Sequence, residues 1–139
     1  AAELLPLLSH PVFVHVVRDP IGVADSLARR DAISRDEALA LWEHYTRSAF
    51  AASDGWPRVL VDYDDLVNAP VPTARRLHAD LIAAGVRGLT LPADETILAW
   101  VDVPSRDGSP SVNDALTPTQ RALRDRLRDR SILGAVATP

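Results

Sequence analysis

The chain has 139 residues, 47% hydrophobic and 24% charged, the balance of one soluble globular domain spanning 1–139 rather than of a disordered or fibrous chain. Its formal charge of −4, with 19 acidic residues mixed among 15 basic ones, gives no global field to draw it onto nucleic acid or anionic lipid. No cysteine is present, which excludes disulfides, thiolate chemistry and cysteine-based zinc sites, and every basic residue is arginine, which removes lysine from any catalytic role.

No stretch approaches the roughly 18 consecutive apolar residues of a membrane span, and no secretory leader opens the sequence, so a cytoplasmic protein without a membrane partner is expected. The opening AAELLPLL reads as a helix tail already under way, without a cap, and suggests a piece of a longer domain. Val12 to Val17 (VFVHVV) is a continuous β-branched and aromatic run, the pattern of a central strand buried on both faces of a parallel sheet. Asp19 as N-cap and Pro20 at the first helical position then start a helix that runs to about Arg30. Ser34 and Glu37 form a capping box for a second helix carrying Leu39, Leu41, Trp42, Tyr45 and Ala49.

Arg58 to Tyr63 (RVLVDY) predicts a second strand, ended by Asp64-Asp65-Leu66 with Asn68-Ala69-Pro70 as turn material. The order to this point is strand, helix, helix, strand. Pro72 to Ala84 reads as a helix with Leu77, Leu81 and Ile82 inward and Gly85 past its end. A short helix follows over Ala93 to Val101, and PSRDGSPS, Pro104 to Ser111, reads as an exposed loop. Thr117-Pro118-Thr119-Gln120 is a capping box opening a charged helix with Leu123 and Leu127 as its apolar stripe. Its arginines alternate with Asp125 and Asp129, which predicts Arg121–Asp125 and Asp125–Arg128 pairs on a solvated face, not a nucleic-acid stripe. The fold class is α/β.

Arg18 stands at the carboxyl end of the first strand, where open α/β sheets place ligands, and Ser26 follows in the next helix. A guanidinium and a hydroxyl converging beside a helix N-terminus suit a phosphate, although an Arg–carboxylate salt bridge and a small helix residue explain the same pair. His10, His15, His44 and His78 show no spaced pair, and no metal site or histidine base is expected.

The stretch VFVHVVRDPIGVADSLARR resembles the 3′-phosphate-binding segment of sulfotransferases that use 3′-phosphoadenosine 5′-phosphosulfate, in which a strand ends in Arg-Asp-Pro and a serine follows in the next helix. Trp42 with Tyr45, then VLVDYDDLVNAP, match the family's later aromatic pair and its Tyr-Asp-Asp-Leu strand end, so that the resemblance runs over Val12 to Pro70. It implies that Arg18 and Ser26 hold the cofactor's 3′-phosphate and that Tyr63 approaches adenine, while Tyr63 equally fits a strand-end aromatic closing the core. Arg106 and Gly108 fall where the family has a loop over the 3′-phosphate, with Asp107 a departure, since an acidic side chain beside a phosphate is unfavourable.

The family's glycine-rich loop for the 5′-phosphosulfate and its catalytic base lie in an N-terminal half that has no counterpart among the six single glycines here. The resemblance therefore implies a P-loop-like parallel sheet flanked by helices, lacking the N-terminal phosphate-loop unit. Sulfuryl transfer to a hydroxyl or amine of a small-molecule or carbohydrate acceptor would belong to the complete protein, with no catalytic residue in this chain and no activity expected from it alone. Copies could associate through a sheet edge left open around VFVHVV. The alternatives are a noncatalytic binding or assembly module of the same fold and, less well matched, a nucleotide-kinase fragment.

Overall fold

A computed structural model describes residues 10–101 and 116–133. Among them the chain is α/β: two parallel strands and six α-helices. Two compact units form, one from residues 10–17 and 55–101, the other from 18–54 and 116–133.

In the first unit, β1 (Phe13–Val17) pairs in parallel with β2 (Arg58–Asp62), in the register Phe13 to Arg58 through Val17 to Asp62. The Phe13 amide donates to the Pro57 carbonyl at 2.9 Å and starts the ladder. Val59, Leu60 and Val61 are all buried, so β2 has the two-sided burial of a parallel strand. β1 does not. Val14 and Val16 are 44% and 61% exposed, whereas Phe13, His15 and Val17 are half-buried. The pleat sends alternate side chains to opposite faces, and β2 is the only strand beside β1 among the described residues, so the expected central position is corrected to a strand covered on one face.

The expected turn after β2 is instead helix α3 (Tyr63–Asn68). Asp62 caps it, its Oδ1 accepting from the amides of Asp64 (2.8 Å) and Asp65 (3.2 Å). The cap is thus supplied two residues before Asp64. Helix α4 (Pro70–Ala83) begins two residues before the expected Pro72, because Pro70 and Pro72 both lie in the first turn, where a missing N–H leaves no bond unmade. It ends in a Schellman motif: Gly85 sits at φ +94°, its amide donates to the Ile82 carbonyl, and that of Val86 donates to Leu81. Ile82, expected inward, is 48% exposed.

Thr73 donates its hydroxyl to the Asp65 carbonyl and Arg76 pairs with the Asp65 carboxylate, tying α4 to α3. Arg75 holds Asp94, at the start of α5 (Asp94–Trp100), with both contacts at 2.9 Å.

The second unit is a hairpin of α1 (Pro20–Asp31) and α2 (Arg35–Ala52) joined by α6 (Pro118–Arg128) and a 3-10 turn at Ser131–Leu133. Each helix starts as its sequence dictates. Asp19 accepts from the Ile21 amide, Ser34 and Glu37 close a capping box, and Thr117 and Gln120 close another. Ile21, Ala24, Ala38, Leu39 and Leu116 form the core, with Leu27 and Ile33 against it, and Arg35 bridges to Asp25 at 3.0 Å. On α6, Leu123 and Leu127 are buried, while Arg124 pairs with Asp125 and Arg128 reaches Asp19. The expected Asp125–Arg128 pair is therefore replaced by a contact between helices.

Partial burial, and secondarily the charge of Arg58, lowers the pKa of His15 on β1. The unfolded chain then binds the proton more tightly, so stability from neutral His15 is present above the ordinary histidine range near 6.5 and is lost as pH falls through it. Urea unfolding between pH 7.5 and pH 5 should show a falling midpoint, and a shallower fall in His15→Gln; identical pH profiles would remove His15 from this account. Ser34→Ala should cost about 1 kcal/mol in the same assay through the lost cap of α2.

Candidate functional site

The arrangement of α1 follows from which of its residues are buried. Ile21 and Ala24, three apart, and the half-buried Leu27 face the α2 side, which turns Gly22 and Ser26 to the opposite side of the helix. Arg18, the residue after β1, folds its side chain back over this outer row. A Cβ built on Gly22 would lie 3.4 Å from Arg18 Nε and 3.8 Å from Cζ and Nη2, so the bare Cα of Gly22 is the floor on which the guanidinium rests. Ser26 is exposed one turn further along, in the same row as Gly22. A fork of N–H donors and a hydroxyl thus share one face of the first two turns of α1, the donor set that an oxyanion with several acceptor oxygens requires.

The aspartate between Arg18 and Pro20 has a different role. Asp19 Oδ1 accepts from the Ile21 amide at 3.0 Å and Oδ2 accepts from Arg128 Nη2 at 2.9 Å, so both oxygens are used within the fold. Pro20 is buried at the first helical position.

The other expected site residues are placed elsewhere. Tyr63 belongs to the first unit, where it is half-buried and opens α3 directly after β2. Arg106, Asp107 and Gly108 lie outside the described residues. Of the aromatic pair on α2, Trp42 is buried in the second unit, whereas Tyr45 is 66% exposed with the His44 ring edge-on at 5.5 Å. His78 lies with Nε2 3.4 Å from the Leu89 carbonyl. Among the described residues, no group of three or more His, Asp or Glu side chains is placed to hold a metal ion, and no helix is long and apolar enough to cross a membrane.

Two participants escaped the sequence reading. Gly22 carried a usable signal, a glycine inside a helix pattern midway between Arg18 and Ser26, since such a residue usually has a packing reason. Arg128 carried none, being 109 residues from its partner.

Comparison with protein-family models, with curated proteins and with solved structures finds no match to this chain.

Gly22→Ala should raise stability by about 0.5–1 kcal/mol through helix propensity, with the guanidinium shifting slightly to admit the methyl group. Gly22→Leu retains the propensity but fills the floor. It should fold, by circular dichroism, and displace Arg18; an Arg18 Nε–H NMR resonance unchanged from the parent chain would show that the Gly22 floor does not matter.

Proposed function

We propose that this chain is the part of a sulfotransferase domain that binds the 3′-phosphate and adenine of 3′-phosphoadenosine 5′-phosphosulfate, within a P-loop-like α/β fold. The observation that carries the reading is the Arg18 guanidinium lying over Gly22, one turn from Ser26, in an Arg-Asp-Pro segment that follows directly on a parallel strand. Open α/β sheets bind ligands beyond the carboxyl ends of their strands, and a phosphate there gains from both the guanidinium fork and the first-turn amides of a helix. The donor set fits the phosphate it is assigned to. Arg18 offers charge-assisted bonds and Ser26 a neutral hydroxyl.

Tyr63 is the residue assigned to the adenine, and Arg106 to the loop over the same phosphate. The sulfuryl group would pass to a hydroxyl or amine of a small-molecule or carbohydrate acceptor. That step needs cationic groups and backbone dipoles around the moving group, together with a base on the acceptor. The residues named here bind and orient the nucleotide and carry no proton in that step.

Calorimetric titration with adenosine 3′,5′-bisphosphate, with 5′-AMP as control, tests the assignment. Binding should require the 3′-phosphate, and Arg18→Ala should weaken it by about 10- to 100-fold, the worth of a hydrogen bond to a charged group. Equal affinity for the two nucleotides, or an unchanged affinity in Arg18→Ala, would overturn the assignment and favour a noncatalytic module.

A further inference from the structure

A carboxylate beside a phosphate site opposes binding, and Asp19 is the immediate neighbour of Arg18. The fold keeps an acceptor at this position for a local reason: Asp19 caps α1 and its charge suits the positive end of the helix. Capping alone does not need the charge, since asparagine caps a helix about as well. The charge is met by Arg128. Its Nη2 lies 2.9 Å from Asp19 Oδ2, and the Asp19 side chain is only 24% exposed. Arg128 is in the last turn of α6, one residue beyond the buried Leu127, so the stripe that packs α6 also aims this guanidinium. At 61% side-chain exposure the Arg128 end of the pair is solvated, and such pairs add little to stability.

We propose that Arg128 is the counter-ion of the Arg-Asp-Pro segment, cancelling the Asp19 charge so that an anion at Arg18 and Ser26 is not opposed by that carboxylate. Helix α6 is thereby a positioning part of that site as well as a packing helix. The inference rests on the reading that Arg18 holds a phosphate.

The test uses the full chain with Arg128→Ala, Arg128→Gln, Asp19→Asn and the double variant Asp19→Asn/Arg128→Ala. Circular dichroism melting serves as the folding control, and adenosine 3′,5′-bisphosphate and inorganic pyrophosphate are titrated separately at low and high salt. Removing Arg128 should weaken binding on the order of three- to tenfold at low salt, and less at high salt. Adding Asp19→Asn should restore the parent affinity, a rescue that a merely structural contact would not give, and Asp19→Asn alone should bind at least as tightly as the parent. If the Arg128 variants bind like the parent, or the double variant stays as weak as Arg128→Ala, the counter-ion role is overturned while the phosphate assignment stands. If pyrophosphate binds and the nucleotide does not, the cofactor assignment falls and the pyrophosphate series decides the counter-ion role. A parent chain that binds neither overturns both.

Discussion

Two parallel strands cannot be closed by a tight turn, because the chain must return from the carboxyl end of one to the amino end of the next before they can pair. The pairing of Phe13–Val17 with Arg58–Asp62 therefore requires a long crossover, here α1 and α2. The crossover has to begin at once, and three consecutive residues arrange it. Arg18 leaves the strand, Asp19 caps the helix, and Pro20 enters it with its ring already at a helical φ. The same economy of length confines a guanidinium to the first turn of α1.

Helix α1 then has to serve two faces with small margins. Ile21 and Ala24 are almost fully enclosed with Ala38, Leu39 and Leu116, and alanine at two of these positions lets the helices approach closely. The opposite row has a glycine where a side chain would meet Arg18. Glycine inside a helix costs roughly 0.5–1 kcal/mol relative to alanine. Here that cost falls at the position whose Cβ would touch the Arg18 guanidinium.

Much of this was legible from the sequence because it is local. The caps of α1, α2 and α6 depend on residues two or three apart, and the strand, helix, helix, strand order follows from runs of β-branched residues between capped helices. Arg18 and Ser26 were found as candidates by their place after a strand. Where the reading failed, distant partners or close competitors were involved. Tyr63-Asp64-Asp65-Leu66 carries turn-forming acids, yet the amides of Asp64 and Asp65 bond to the carboxylate of Asp62 and the segment winds into a helix instead. VFVHVV has the composition of a strand buried on both faces, but composition does not say how many neighbours a strand has, and Val14 and Val16 remain exposed.

The sequence by itself determined where α1, α2 and α6 begin, which two runs are strands, and that Arg18, Asp19 and Pro20 stand at a strand-to-helix junction, since each depends on hydrogen bonds and sterics within about four residues. Tertiary structure decided which charges meet. The carboxylate of Asp19, which also caps its own helix, meets Arg128, and that of Asp65 meets Arg76. Those choices follow from how the apolar stripes of α6 and α4 seat against their surroundings, and side chains far apart in sequence become partners only once that burial has fixed the helices that carry them.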